Sequence, residues 1–393
     1  MERWTIADAK VITPDEVFES GYVTIEGGCI VSSGAGAPSE PGRVVSAKGA
    51  TVTPGLIDIH VHGTGGHWGF FDTEDLLSMS REIAKFGVTA FVPATVSLPH
   101  KQVIASIKLM RGAMAKQAAA EVPDGAAILG INIEGPYINK KRPGAHNPMC
   151  IRDPKEDEIA EVLDAAGDAL KIFTLAPEIP GGMELTKRLS EMGVVVSIGH
   201  SDADRGQTLE AVRNGARLVT HLYNALRSFH QREPGNAFAA LVEPGLYCEL
   251  IADGKHVHPD IVKMTARVKP ETALVLITDA FNAAGMKPGK YNVWGFEIEV
   301  ADGMARMADG TIAGSVLTLN RGVANMSRFA ELPLEKCVRM ATATPAELLR
   351  LPGGAGTLSP GSRADVSVFD DGMNCLATIV AGNLVYKAEE FNI

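Results

Sequence analysis

This chain has few cysteines and fewer basic than acidic residues. The first observation bears on its cellular compartment and the second on its binding partners. The 393 residues include five widely spaced cysteines and no C-x-x-C pair, so we expect a reducing compartment. There is no dense run of Lys or Arg and the formal net charge is -10, which argues against a nucleic-acid partner. An anionic small molecule could still be held by a few local cations and backbone amides.

The features of an exported or membrane protein are missing as well. Residues 1–8 show no basic segment followed by an apolar one, and no uninterrupted apolar stretch is long enough to cross a bilayer. We therefore expect a cytoplasmic protein without a membrane partner. The length leaves room for one large α/β barrel and a smaller appended unit.

In the middle of the chain, short β-type runs alternate with stretches rich in Ala, Leu, Glu, Lys and Met that suit helices. The eight runs cover residues 57–62, 89–94, 128–134, 172–176, 194–200, 218–221, 248–253 and 274–279. Eight parallel strands close a β/α barrel, and such barrels place catalytic groups at the carboxyl ends of their strands. The alternation therefore predicts an eight-stranded barrel of the α/β class.

A doubly wound open sheet is the alternative architecture. It would need a Gly-rich nucleotide turn after the first strand, and Gly63-Thr64-Gly65-Gly66 falls short of G-x-G-x-x-G. The two ends of the chain read differently, as short strands with turns. These predicted strands cover residues 4–12, 20–25, 29–33, 44–52, 365–369, 375–380 and 383–387. We expect both ends to meet in one small sheet domain.

Five of the eight runs end in a side chain that can bind a metal or move a proton. These residues are His60, His62, Glu134, His200, His221 and Asp279. Side chains two apart on a strand share a face, so His60 and His62 should point to one place. Three or more such ligands with an open position make a catalytic divalent-metal site, in which a bound water loses its proton near neutral pH.

The two carboxylates suit different tasks. Glu134 ends an apolar strand just before Gly135-Pro136, so it could be a ligand or a bridge between two metals. Asp279 follows an apolar run and needs a compensating partner, which favours a general base and acid. Taken singly, each histidine could be structural and Asp279 could cap a helix. The agreement among several strand ends favours a metal-dependent hydrolase.

Sequence motifs carry a family resemblance along nearly the whole chain. Residues 54–63, PGLIDIHVHG, resemble the opening signature of the amidohydrolase superfamily. Further segments resemble its N-acetylglucosamine-6-phosphate deacetylase family: IEGPY at 133–137, IGHSDA at 198–203, THLYNA at 220–225, REPG at 232–235, IADGKH at 251–256 and TDA at 278–280.

The resemblance implies a (β/α)8 TIM-type barrel over residues 54–354, with a small β-sandwich domain formed by residues 1–53 and 355–393. It also implies a homodimer, metal ligands at Glu134, His200 and His221, and Asp279 as the acid/base. Because His60 and His62 are both intact, a second metal bridged by Glu134 is feasible. We therefore expect one or two divalent metals per subunit, zinc first, with iron, manganese or cobalt also suited to these ligands.

The activity that the resemblance implies is hydrolysis of the acetamide of N-acetyl-D-glucosamine 6-phosphate, giving D-glucosamine 6-phosphate and acetate. The implied substrate contacts are Ala145 and His146 for the sugar, Asn224, Ala225 and Arg232 for the phosphate, the substrate histidine His256, and the covering loop Ile312, Ala313 and Gly314.

Residue chemistry alone leaves alternatives at two of these contacts. Arg232 could form a surface ion pair and Asn224 a helix cap. Alternative functions are an N-acetylgalactosamine-6-phosphate deacetylase, another cyclic-amide amidohydrolase and a catalytically silent barrel.

Overall fold

Five short strands open the chain. In this computed structural model, which describes residues 2–293, 296–308, 310, 314–389 and 391, they are β1 (Trp4–Ile12), β2 (Val17–Glu26), β3 (Cys29–Ala35), β4 (Arg43–Ser46) and β5 (Thr51–Pro54). The segment predicted as one strand over 44–52 is thus two strands. The chain turns at Gly49, whose φ of 82° is a left-handed conformation that favours glycine and interrupts the extended backbone.

Strands and helices alternate through the middle of the chain. In order, they are β6 (Leu56–Val61), β7 (Gly63–Thr64), β8 (His67–Trp68), α1 (Thr73–Ala84), β9 (Val88–Pro93), α2 (His100–Ala119), β10 (Ala127–Ile128), β11 (Ile131–Glu134), α3 (Glu156–Ala166), a 3-10 turn (Gly167–Ala169), β12 (Leu170–Leu175), α4 (Gly182–Glu191), β13 (Val195–Ile198), α5 (Arg205–Arg213), β14 (Leu218–Val219), α6 (Asn236–Val242), β15 (Tyr247–Leu250), α7 (Pro259–Val268) and β16 (Leu274–Leu276). Each of the eight predicted runs overlaps one of these strands.

Eight of these strands form a closed ring of parallel neighbours. β6 pairs with β9, and β11 to β16 pair in chain order. A parallel bridge between Ala94 and Asn132 joins the end of β9 to β11, and one between Val61 and Ala280 joins β6 to the chain beyond β16. Every residue of β6 and β9 is buried, as expected for strands covered on both faces. The result is an eight-stranded β/α barrel.

The remaining elements follow the barrel strands. They are β17 (Gly289–Val293), β18 (Phe296–Ala301), β19 (Met304–Met307), α8 (Leu319–Ala330), α9 (Leu334–Met340), α10 (Ala343–Leu348), β20 (Val366–Phe369), β21 (Cys375–Val380) and β22 (Asn383–Lys387). The sequence pattern does not predict β17 to β19, which form a separate antiparallel sheet. Ile298 and Ala305 of this sheet belong to the same buried apolar cluster as Phe281, just beyond Asp279.

Strands from the two ends of the chain share one sheet. Its order is β22-β21-β20-β5-β1-β2-β3, with β4 beside β1. This sheet has an apolar core of its own, with Ile6, Val23, Val52, Val366 and Ile379 among its members. Within the described part of the chain, no helix has both the length and the apolar character needed to cross a membrane.

Candidate active site

The side chains predicted to be functional lie at the carboxyl ends of barrel strands, where the backbone turns sharply. Glu134 is the last residue of β11, and His62 directly follows β6. His200, His221 and Asp279 come just after β13, β14 and β16, with φ angles of 47°, 30° and 48°. Such positive angles are uncommon outside glycine and tend to occur at functional sites. The three turns bring these residues, far apart in sequence, to one mouth of the barrel.

Glu134 stands between two pairs of histidines. Its Oε1 lies 3.2 Å from Nε2 of both His200 and His221. Its Oε2 lies 3.4 Å from Nε2 of His62 and 3.6 Å from Nε2 of His60. Asp279 Oδ1 completes the second group, 3.2 Å from His62 Nε2 and 3.5 Å from His60 Nε2. Two groups that could each hold a metal ion therefore meet at one carboxylate.

The four histidines of these groups are all held through their Nδ1 atoms. The acceptors are Glu249 Oε2 for His60 (2.9 Å), Ala94 O for His62 (3.2 Å), Arg142 O for His200 (2.9 Å) and Asn224 O for His221 (3.1 Å). A carbonyl or carboxylate oxygen only accepts, so each Nδ1 carries the hydrogen. Each neutral ring then presents an unprotonated Nε2 to the centre, which is the tautomer that a metal ligand needs.

This arrangement fits a divalent cation in each group. Without a proton or a cation, the lone pairs of the Nε2 atoms and of the carboxylate oxygens would face one another at hydrogen-bond distance. His60 Nε2 is buried and has no hydrogen-bond partner among the described residues, and the Nε2 atoms of His200 and His221 lie 3.1 Å apart. Imidazole nitrogens with carboxylate oxygens suit zinc, iron, manganese or cobalt.

His146 is oriented in the opposite way. Its Nδ1 accepts the main-chain N–H of Ser97 at 2.9 Å, so its hydrogen is on Nε2 in the neutral ring. That Nε2 lies 3.4 Å from Glu134 Oε2. His146 therefore faces the centre as a hydrogen-bond donor, whereas the four other histidines face it as acceptors.

Without a bound cation, the buried histidines of the site differ in their pKa values. Burial disfavours a charged His60, but Glu249, Glu134 and Asp279 outweigh it and raise the pKa of His60 well above its usual value. Burial likewise disfavours a charged His62, but Asp279 and Glu134 outweigh it and raise the pKa of His62 to about 9. Burial, reinforced by His146, lowers the pKa of His200 to about 4. A cation entering the His60 group would have to displace protons.

The two carboxyl groups stay ionised. Burial alone would raise the pKa of Asp279, but His60, His62 and His221 outweigh it and bring the pKa below its usual value. Glu134 has its pKa lowered well below normal, since His60 and His146 overcome the effect of burial. The carboxylates of Asp279 and Glu134 are thus both available near neutral pH to bind a cation or accept a proton.

The two groups open into a cavity of about 270 Å³. Its lining contains His62, Val96, Glu134, Gly144, Ala145, His146, His200, His221, Asn224, Ala225, His256, Asp279, Phe281 and Gly314. The predicted substrate contacts Ala145, His146, Asn224, Ala225 and His256 are therefore brought together beside the ligand groups, with Gly314 of the covering loop. Fully buried His60 lies behind them.

The sequence profile of the amidohydrolase family matches residues 51–385. The chain belongs to the amidohydrolase family. Among members of the family, the N-acetylglucosamine-6-phosphate deacetylase of Bacillus subtilis (strain 168) is 34% identical over 394 residues, which is 99% of this chain and 98% of the relative. The N-acetylgalactosamine-6-phosphate deacetylase of Escherichia coli O157:H7 is 34% identical over 345 residues, 88% of this chain and 90% of the relative.

A solved structure extends this amidohydrolase similarity to three dimensions. It is a variant of the Mycobacterium smegmatis N-acetyl-D-glucosamine-6-phosphate deacetylase in complex with N-acetyl-D-glucosamine-6-phosphate. Its TM-score is 0.91 at 34% identity, and the match covers 98% of this chain and all of that chain. The similarity confirms the family resemblance and the TIM-type barrel predicted from the sequence.

The remaining predicted substrate contacts are Arg232, Ile312 and Ala313. Arg232 is exposed in the loop between β14 and α6, and its main-chain N–H donates to His230 Nδ1 at 3.4 Å. It does not line the cavity. Ile312 and Ala313 lie outside the described residues.

Three residues that the sequence analysis leaves without a role support the site. Glu249 holds the His60 ring, and Ser97 holds His146. Asp58 is fully buried, accepts Thr278 Oγ1 at 2.5 Å, and has its pKa raised to about 7 by burial. Glu249 and Asp58 each interrupt an apolar run, and a charged residue in such a run is the available sequence signal, because unpaired charge is rarely buried.

Proposed function

We propose that this amidohydrolase removes the acetyl group of N-acetyl-D-glucosamine 6-phosphate by hydrolysis, yielding D-glucosamine 6-phosphate and acetate. The observation that carries the proposal is the meeting of two metal-binding groups at Glu134, with ionised Asp279 on the wall of the same cavity. The substrate follows from the deacetylases that this chain resembles over nearly its full length.

The proposed metal ligands are Glu134, His200 and His221, with a second site at His60 and His62 bridged by Glu134. When bound, a divalent cation would polarise the amide carbonyl and lower the pKa of a water molecule. The Nδ1 hydrogen bonds keep the four imidazoles oriented for this task. We take zinc as the first expectation for the metal, with iron, manganese and cobalt as alternatives.

Asp279 is the proposed acid and base. Its ionised carboxylate accepts the proton of the attacking water and returns it to the departing amine nitrogen, so that the amine leaves neutral. The 13% exposure of its side chain, through the cavity, gives a substrate access to it. His146, with its hydrogen on Nε2, can donate to an oxygen of the substrate.

The remaining substrate contacts are proposals of the same kind. His256 would orient the sugar, because its Nδ1–H donates to Asp253 Oδ2 at 2.7 Å and its Nε2 is left for the cavity. Asn224 and Ala225 would lie beside the phosphate, with Arg232, Ile312, Ala313 and Gly314 completing the ligand's surroundings.

Acetate release from both epimers tests the proposal. Purified protein is freed of metal with a chelator, divided, and assayed with and without restored zinc on N-acetyl-D-glucosamine 6-phosphate and N-acetyl-D-galactosamine 6-phosphate. We expect zinc-dependent release with a higher kcat/KM for the gluco epimer. A preference for the galacto epimer would correct the substrate, and equal activity without metal would contradict the metal-dependent mechanism.

We also propose that the chain forms a homodimer, as the family resemblance implies. An apolar surface groove of about 600 Å³ adjoins His256 and could be covered by a second copy. Its larger side chains are Tyr223, Phe229, Phe238, Ile261, Met264 and Val268. Phe229 is 61% exposed in the single chain, and burial of such a surface favours association.

Sedimentation of the wild type and of Phe229→Ser tests the proposed homodimer, with a weakened dimer expected for the variant.

Two further assignments are proposals. We divide the chain into a barrel domain over residues 54–354 and a small β-sandwich domain formed by residues 1–53 and 355–393, supported by the shared terminal sheet and its own apolar core. We assign the protein to the cytoplasm, where its five unpaired cysteines would stay reduced.

A further inference from the structure

Glu249 is a buried carboxylate that touches both metal-binding groups without belonging to either. Its Oε2 accepts the Nδ1–H of His60 at 2.9 Å and the main-chain N–H of His221 at 3.1 Å. The side chain is fully buried, and its Oε1 has no hydrogen-bond partner among the described residues. One oxygen therefore connects the ring of one group with the backbone of the other.

Strand alternation explains why this carboxylate points toward the barrel centre. Successive side chains of a strand face opposite sides. On β15, Cys248 contacts the carbonyl oxygen of Ala240 in α6, on the outer side of the barrel. Glu249 therefore faces inward, where it reaches His60 on β6, with β16 between the two strands in the ring.

Burying a carboxyl group has a large desolvation cost, which must be balanced by hydrogen-bond partners. Here the partners are one imidazole N–H and one main-chain N–H. A carboxylate that accepts Nδ1–H fixes the tautomer of a ligating histidine and makes its Nε2 a stronger electron donor. Among the four ligand histidines, His60 alone has a carboxylate in this role, whereas the described acceptors of the others are main-chain oxygens.

We propose that Glu249 is a positioning residue that holds His60 for metal binding and links the two metal sites through the backbone of His221. This inference rests on the metal-dependent function proposed above and adds a residue to it. Removal of the carboxylate should weaken binding most in the group of His60, because the lost contact is made by the ring itself. The group of His221 should weaken less, because its contact is made by the backbone.

The experiment compares zinc binding by metal-free wild type, Glu249→Ala and Glu249→Gln, in competition with a chromophoric chelator. For Glu249→Ala we expect affinity in the His60 group to fall by about 10- to 100-fold, the range typical of lost partners of metal ligands. The zinc affinity of Glu249→Gln should lie between those of Glu249→Ala and the wild type. The amide oxygen can still accept hydrogen bonds from both N–H groups, but it carries no charge. Absorption spectra of cobalt-loaded proteins provide a second readout of ligand geometry.

Cys248→Ala is the matched control, because it changes the neighbouring buried side chain on the outer face of the same strand. We expect it to bind zinc like the wild type, even if its thermal unfolding midpoint falls. Wild-type affinity in both Glu249 variants would overturn the inference, as would equal weakening in Cys248→Ala. Failure of the wild type itself to bind zinc would overturn the proposed function together with this inference, and it is a distinct result.

Discussion

Replacement of Asp279 by Asn separates proton transfer from metal and substrate binding. The amide has the shape of the carboxylate and keeps an oxygen near His62 Nε2, where Asp279 Oδ1 now lies at 3.2 Å. It has no basic oxygen that could take a proton. Because His60 and His62 keep the pKa of Asp279 below its usual value, the wild type has the basic form available at neutral pH.

The size of the effect follows from the single function that is lost. A positioned general acid or base contributes about 10²- to 10⁴-fold to a rate, which corresponds to about 3 to 5 kcal/mol of transition-state stabilisation. We expect kcat for acetate release to fall by at least about 100-fold in Asp279→Asn, with KM changed by less than about threefold. Asp164→Asn, at an exposed position of α3, is the matched control and should keep wild-type kcat.

Steady-state assays of acetate release, paired with metal analysis of each preparation, decide the matter. The metal content shows whether the variant still holds its cations, since Asp279 also belongs to the group of His60 and His62. A variant with wild-type metal content and more than about a tenth of wild-type kcat would refute the assignment of Asp279 as the acid and base.

Three further predictions concern the surroundings of the site and the core. In Gly144→Ala, the new Cβ would lie 2.8 Å from His200 Cε1, so we expect kcat to fall by about tenfold or more. In Asp253→Ala, His256 loses its Nδ1 acceptor, so KM should rise by about tenfold with kcat changed less. Burial raises the pKa of three thiols from 9.0 to about 12, so unfolding free energy should fall as pH rises from about 9. These thiols are Cys248, Cys337 and Cys375.

The sign of the thiol effect follows from proton counting. Above pH 9 the unfolded chain loses thiol protons that the folded chain keeps, so stability falls by up to about 1.4 kcal/mol per pH unit for each thiol. Urea unfolding between pH 8 and 11 measures this slope, and Cys337→Ala should reduce it. A slope unaffected by this substitution would contradict the raised pKa of the Cys337 thiol.

For Gly144→Ala, the control is Gly193→Ala, which has the same kind of φ strain with open space around the new Cβ.

Much of the fold could be predicted from the sequence because the barrel strands are apolar and regularly spaced. The runs that end at His62, Glu134, His200, His221 and Asp279 all overlap strands of the barrel. The parallel order of a β/α barrel then places their ends at one mouth, whatever the details of packing. For this reason the clustering of these side chains could be predicted without coordinates, whereas their role as metal ligands stays a prediction.

Other features could not be predicted because their signals are weak or shared. The antiparallel sheet β17 to β19 has short strands that no long apolar run identifies, and the strand expected over 44–52 is divided by a turn at Gly49. The phosphate contact of Arg232 is implied by the family resemblance of REPG at 232–235, but in the structure this residue is exposed in a loop. An arginine looks the same in the sequence whether its side chain forms a surface ion pair or binds a ligand.

The sequence by itself determined which candidate ligand atoms are available and that they lie at strand ends, because apolar periodicity and residue type can be read directly from it. Only the tertiary structure decided which nitrogen of each histidine faces the centre. Ala94 and Arg142 hold their histidines through main-chain oxygens, which every residue possesses, so residue type gives no signal. Glu249 and His60 are 189 residues apart in the sequence, and they come into contact only once the barrel has closed.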